Sequence, residues 1–241
     1  MKYLKKFSPF KKKEIKSWLD SLDIKNYVIN DDLTIDINGD INLRRKLHTK
    51  KIPYKFRNVS GEFNCEHNNL KLLTNCPDFV GGDFVCCNNE LVSLSEGPKE
   101  VLGNYYAYKN QLVTLKGIPK SLYSFYCSDN SITSLEYLEN IQHELDIQDN
   151  NIKSIEFLPY VNYICILKNP IFELIEPINQ WSETSVFKFL NYCKEYDVII
   201  ENKKFKYTII LDNLKEVLYM MDLENKYDFD KLKKSKHYLI K

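Results

Sequence analysis

The feature that most limits what this chain can fold into is a twelve-residue pattern that returns six times along its middle. It begins as EFNCEHNNLKLL at Glu62, DFVCCNNELVSL at Asp83, NYYAYKNQLVTL at Asn104, SFYCSDNSITSL at Ser124, ELDIQDNNIKSI at Glu144 and YICILKNPIFEL at Tyr163. The shared template is x-Φ-x-Φ-x-x-N-x-Φ-x-x-Φ, with Φ apolar. Its asparagines, Asn68, Asn89, Asn110, Asn130, Asn150 and Asn169, stand 21, 21, 20, 20 and 19 residues apart. A unit of this length cannot bury its own apolar face, so the copies must stack on one another and share a continuous core.

Each column has a physical reason. Phe63, Phe84, Tyr105, Phe125, Leu145 and Ile164 alternate with Cys65, Cys86, Ala107, Cys127, Ile147 and Ile166, the period of two by which a short strand sends one face inward. The asparagine then leaves the strand, and its amide can satisfy backbone groups that would otherwise be buried without partners. Stacked, these residues predict an asparagine ladder. Leu70, Leu91, Leu112, Ile132 and Ile152, with Leu73, Leu94, Leu115, Leu135 and Ile155, turn the return path inward. Pro77, Pro98 and Pro119 predict extended or turn backbone on the outer side, since proline disfavours helix before it. Gly61 and the Gly81-Gly82 pair mark the turn entering a coil, where small residues permit a tight path.

Period and template are those of the leucine-rich repeat. The expected fold is therefore a leucine-rich-repeat solenoid over residues 58–180, β-rich, with short parallel strands and little convex helix. Residues 1–57 are expected to close its front. Ile15, Trp18, Leu19 and Leu22 lie at helical spacing, and Asn38-Gly39 between LTIDI and DINLR signals a β-hairpin. Residues 181–241 are expected to close its rear as an α+β cap: a helix capped by Ser182 to Ser185, a strand pair around Glu201 to Lys204, and a helix opened by Asp212.

The run IDINGDINL, KIPYKFRNVSGEFNC and the Asn-x-Leu-x-x-Leu repeats with Pro98 and Pro119 resemble leucine-rich-repeat proteins of large tailed bacteriophages and AT-rich bacteria, over roughly Asp31 to Pro177. The resemblance implies a soluble recognition protein, and for a phage product a partner among host factors, as in blocking a host defence. The period is also similar to that of bacterial effectors whose repeats precede a cysteine-dependent ubiquitin ligase. The Cys-x-Asp motif of that group is absent, because Cys193 is followed by Lys194 and Glu195.

The outward residues of each strand line the concave side of such a solenoid. Four columns of six give 24 positions, starting from Glu62, Asn64, Glu66 and His67 in the first copy. Seven of these are acids, Glu62, Glu66, Asp83, Asp129, Glu144, Asp146 and Asp149, against two lysines, Lys109 and Lys168. At the centre Tyr106, Tyr108 and Tyr126 form an aromatic cluster with Val85 and Cys87, the material enriched at interface hot spots. Asn64, Lys109 and those seven acids complete the expected protein-binding surface. An acidic concavity favours a basic or mixed protein surface and repels phosphate.

Charge and cysteine content agree with that class. Lys plus Arg total 34 and Asp plus Glu 33, a formal charge of +1, so the global balance names no nucleic-acid partner. Seven cysteines, an odd number with several at interior positions, suit reduced thiols in a cytoplasmic setting; Cys87 is expected to be outward and reactive. No apolar run reaches membrane-spanning length and no apolar h-region follows the basic stretch MKYLKKFSPFKKKEIKSWLDSL, so neither secretion nor membrane spanning is expected. The four histidines, His48, His67, His143 and His237, are dispersed, and no phosphate-binding glycine loop occurs. The reading is thus a non-enzymatic module that needs no metal or cofactor. Two alternatives stand beside it: the segment from Glu183 is the effector and the repeats only recruit its target, or Lys2, Lys5, Lys6, Lys11, Lys12, Lys13 and Lys16 bind nucleic acid.

Overall fold

The computed structural model of the chain describes residues 2–177, 183–196, 198–202, 206–221, 223, 226–235 and 238–240. Helix α1 (Lys2–Ser21) comes first, followed by strands β1 (Tyr27–Ile29), β2 (Ile35–Ile37), β3 (Ile41–Asn42), β4 (Phe56–Val59), β5 (Phe63–Asn64), β6 (Phe79–Val80), β7 (Phe84–Val85), β8 (Glu100–Val101), β9 (Tyr105–Tyr106), β10 (Ser121–Leu122), β11 (Phe125–Tyr126), β12 (Asn140–Ile141), β13 (Glu144–Asp146) and β14 (Tyr163–Cys165). The repeats form a β-solenoid of about six turns. A seven-stranded sheet in the order β14-β13-β11-β9-β7-β5-β3 makes one wall, and all its pairings are parallel.

The alternation explains that wall. Phe63, Phe84, Tyr105, Phe125 and Leu145 are fully buried, and the aromatic members stack in one column, with ring centroids 5.7 Å apart for Phe63–Phe84, 4.9 Å for Phe84–Tyr105 and 5.6 Å for Tyr105–Phe125. Cys65, Cys86, Ala107, Cys127 and Ile147 fill the second interior column without exposure.

The asparagines form the expected ladder. Asn89 Nδ2 donates to the carbonyls of Cys86 at 3.0 Å and Cys87 at 3.2 Å in its own turn, and to Cys65 at 3.1 Å in the turn before. Its Oδ1 accepts from the amides of Asn68 and Leu70, both at 2.9 Å. Asn68, Asn110, Asn130, Asn150 and Asn169 repeat the scheme, each accepting one amide of the preceding turn.

A second wall lies on the outer side. Buried Pro77, Pro98 and Pro119 lead into the two-residue strands β6, β8 and β10; the first two extend the four-residue β4 in parallel as β4-β6-β8, and β10 pairs separately with β12. The interruption has a visible cause. Buried Val80 and Val101 each precede the interior aromatic of the next strand by four residues, whereas Leu122 precedes Phe125 by three, so the corner is one residue shorter there. Where the corner is long it is glycine: a Cβ on Gly82 would lie 2.8 Å from the carbonyl carbon of Gly61, and one on Gly103 2.7 Å from that of Gly82.

The hairpin expected at Asn38-Gly39 does not form. β2 pairs with β4 and β3 with β5, in different sheets, and Gly39 at φ +114° turns the chain between them. Ile37 and Ile41 are both buried and four residues apart, like Val59 and Phe63, so the stretch serves as a first turn of the solenoid. The antiparallel pair is β1 with β2. Ahead of it α1 lays Ile15 and Leu19 into the core and sets Trp18 edge-on to Tyr54 at 5.4 Å.

Beyond a short 3-10 helix (Pro170–Leu174) come α2 (Glu183–Glu195), β15 (Ile199–Asn202), β16 (Lys206–Ile209), α3 (Leu211–Met220), α4 (Phe229–Leu232) and β17 (Tyr238–Ile240). β15 and β16 are the expected antiparallel pair, and β17 adds a parallel third strand. Ser182 of the expected helix cap lies outside the described residues, as do Lys203 and Lys204 of the turn between the strands. The segment is tied to the solenoid by Tyr227 Oη donating to the Leu174 carbonyl at 2.8 Å and Tyr238 Oη to that of Lys153 at 2.9 Å. Among the described residues no helix is long and apolar enough to cross a membrane.

Candidate functional site

The face of the seven-stranded sheet that points away from the core carries most of the residues singled out above. Strand register aligns Asn64, Val85, Tyr106, Tyr126, Asp146 and Cys165 as one continuous row. Tyr106 and Tyr126 stack face to face in it, with centroids 4.9 Å apart and planes 10° from parallel. Tyr106 Oη accepts from Asn104 Nδ2 at 3.2 Å, and Tyr126 Oη donates to Glu144 at 2.8 Å. Burial, and then the hydrogen bond to Glu144, push the Tyr126 phenol up to about 12. Burial and the neighbouring carboxylates of Asp83, Glu62 and Glu144 likewise raise Tyr106. Both tyrosines therefore stay neutral at physiological pH, with three carboxylates at the edge of the stack.

The acids fall into two groups. Glu66 is compensated by Arg44 at 3.1 Å, with His67 Nε2 also 3.2 Å away, and Asp149 by Lys168 at 3.0 Å. Among the described residues Glu62, Asp83, Glu144 and Asp146 accept from neutral donors: the Asn64 amide at 3.1 Å, the Asn104 N–H at 2.7 Å, the Tyr126 hydroxyl at 2.8 Å and, for Asp146, the Gln148 N–H at 3.0 Å together with Ser128 and Cys165. Among the described residues none of these four has an ion-pair partner. Asp146 is held above the usual carboxylate range by burial, reinforced by Glu144. A charge retained where burial opposes it and no cation of the chain offsets it is costly.

Two expectations about this face are corrected. Cys87 is not an outward, reactive thiol: it is fully buried, and burial pushes it up to about 11, far from the thiolate that reactivity requires. Its sulfur is engaged by Tyr108, Asn88 and Glu66, and the contact with Cys87, together with burial, raises the Tyr108 phenol as well. The fourth column does not belong to the sheet face. His67, Asn88, Lys109, Asp129, Asp149 and Lys168 all adopt left-handed backbone, φ +52° to +57°, so the chain has already turned out of the strand; Lys109 and Asp129 are exposed there, at the margin of the sheet face. The strands are only two or three residues long, and a periodic template does not show where a strand stops.

Sequence reasoning also missed a buried group. Cys76 joins Cys65 and Cys86 beneath Tyr105, and burial raises the Cys76 and Cys86 thiols well above their ordinary value. Its only signal was an apolar position after Leu73 that the template does not include.

Of the amino-terminal lysines, Lys12 pairs with Asp31 at 2.9 Å and Lys16 with Asp20 at 3.1 Å. The side chains of Lys2, Lys5 and Lys6 lie outside the described residues. No family model, curated protein or solved structure matches the chain.

Proposed function

We propose that the chain is a recognition module of the leucine-rich-repeat type, without catalysis of its own, that binds a basic protein segment on its concave sheet. The observation that carries the reading is the parallel Tyr106–Tyr126 stack edged by Glu62, Asp83, Glu144 and Asp146, acids that no cation among the described residues compensates. A lysine or arginine of the partner would gain cation–π attraction and charge-assisted hydrogen bonds at once. It would also relieve the unfavourable ionisation of Asp146. With turns about 5 Å apart the sheet spans roughly 25 to 30 Å, enough for a standard interface. The resemblance to phage repeat proteins makes a host protein the first partner to seek, and the ends of the solenoid are read as closed by α1 and by the carboxy-terminal α+β segment.

The test compares capture of partners by the wild type, by the Tyr106→Ala/Tyr108→Ala/Tyr126→Ala variant, and by Val113→Asp on the outer side. A partner kept by the wild type and by Val113→Asp but lost by the tyrosine variant, with binding that weakens as salt rises, supports the assignment. A partner held equally by all three removes the concave face from consideration.

A further inference from the structure

The last turns of the solenoid depart from the pattern of the earlier ones in a way that packing does not require. The corner that is glycine at positions 61, 82 and 103 becomes Tyr123, then His143. Tyr123 and His143 stack at 5.2 Å with planes 19° apart, and Tyr163 meets His143 at 5.1 Å, nearly perpendicular. These rings are not hidden: Tyr123 is 46% exposed, Tyr163 42% and nearby Tyr160 77%.

Opposite them stands α2. Phe189, Leu190 and Cys193 bury one side of this helix in the core. Lys188, Asn191, Tyr192 and Glu195 follow at intervals of three, one and three residues, which puts them on a common face. Between that face and the segment from Tyr160 to Tyr163 lies a cavity of about 730 Å³, to which His143 also contributes. The size falls within the range of small-molecule sites, roughly 300 to 1,000 Å³.

The lining selects a ligand chemistry. One ammonium, Lys188, and one carboxylate, Glu195, balance, so neither an anion nor a cation is favoured. The Lys188 ammonium already sits 5.7 Å from the Tyr192 ring centroid, where a ligand cation would have to lie. The parallel pair beside the cleft, Tyr123 and His143, is closed on itself at 5.2 Å, so no flat heterocycle enters between those two rings. The mixture of phenol rings with uncharged amides and one balanced charge pair suits a neutral, non-planar ring compound with many hydroxyls. The apolar C–H faces of a pyranose pack on phenol rings, while its hydroxyls need donors and acceptors side by side: the Lys188 ammonium donates, the Glu195 carboxylate accepts, and the amides of Asn191 and Asn162 carry both kinds of atom, Asn162 Nδ2 also donating to the Gln142 carbonyl at 3.3 Å.

The geometry points to a binding site for a neutral oligosaccharide of two or three units in the cleft between α2 and the final solenoid turn, separate from the concave sheet and independent of its assignment. The test titrates the full chain with maltotriose, cellotriose and chitotriose, and with adenosine as the planar alternative, followed by calorimetry and ligand-observed NMR. At least one saccharide should bind. Glu195→Gln and Asn162→Ala, both at exposed positions, should each weaken it by about tenfold, and Tyr192→Ala by more, while Tyr106→Ala leaves it unchanged. Thermal melts of each variant separate lost binding from lost fold, and the two exposed substitutions keep the test decisive if Tyr192→Ala unfolds. The proposal is overturned if no saccharide binds at about 10 mM, if binding ignores the Glu195 and Asn162 changes, or if adenosine alone occupies the site.

Discussion

Asn89 concentrates the logic of the fold in one side chain, and its removal has a calculable cost. In Asn89→Ala the amides of Asn68 and Leu70 lose their acceptor, and the carbonyls of Cys65, Cys86 and Cys87 lose a shared donor, all in the buried seam between two turns. An unsatisfied buried donor costs about 1 to 3 kcal/mol. Two orphaned N–H groups, with some relief from local movement, place the loss near 3 kcal/mol. Carbonyls tolerate the change better because each keeps a second lone pair. Asn110→Ala strands one amide, that of Leu91, at a half-buried position, and should lose about half as much. Asn89→Asp preserves shape and acceptor but aims a carboxylate at three carbonyls, so it should be no better than alanine. Urea unfolding followed by circular dichroism reads all three. The reasoning is refuted if Asn89→Asp retains wild-type stability, or if Asn110→Ala costs as much as Asn89→Ala.

Other outcomes follow from single positions. Gly82→Ala forces a Cβ to within 2.8 Å of the Gly61 backbone and should destabilise by about 2 kcal/mol or more in the same unfolding assay; a neutral result would mean that the turns are not in van der Waals contact at this corner. In a column whose other aromatic members are phenylalanine, the buried Tyr105 hydroxyl meets, among the described residues, only the thiol of Cys86, a weak partner, so Tyr105→Phe should raise stability by about 1 kcal/mol, and a loss would show that the sulfur satisfies the hydroxyl. Asp146 and Asp36 should respond to pH with opposite signs. Burial raises Asp146, whose charge therefore lowers stability at neutral pH. Asp146→Asn should raise Tm at pH 7, and the difference should shrink as acid protonates the wild type. The Arg57 hydrogen bond lowers Asp36, so Asp36→Asn should lower Tm at pH 7, with the gap closing only below the ordinary carboxylate range. Two differences of the same sign at pH 7 would refute the pair.

Much of this architecture was legible before any coordinates. An interior column, a ladder asparagine and a corner glycine each follow from a need that recurs once per turn, so a repeating solution appears in the chain as a repeating letter. Phe63, Phe84, Tyr105 and Phe125 announce a strand face because burial tolerates only such residues there, and Asn68 through Asn169 announce the ladder because few other side chains both donate and accept at one point. The row Val85, Tyr106, Tyr126 and Asp146 could be written down from the same alignment.

What the alignment did not contain depends on contacts between residues far apart or on the handedness of single bonds. Asn38-Gly39 carries a hairpin signal, yet the chain turns there from one sheet to another, because pairing Ile37 with Val59 and Ile41 with Phe63 buries both isoleucines. Left-handed backbone at Lys109 and Lys168 leaves no mark in their identity, since neither residue favours it, and only the geometry of the turn imposes it. Cys87 is outward by alternation and still buried, among contacts with Tyr108, Asn88 and Glu66 drawn from its own and the neighbouring turns. The cleft beside α2 exists only where Tyr160 and Tyr163 meet a helix more than twenty residues later in the chain. Periodic local demands determine the solenoid from sequence alone; which acids stay uncompensated, which thiol is covered and where a cavity opens are decided by packing across turns, and so by the tertiary structure.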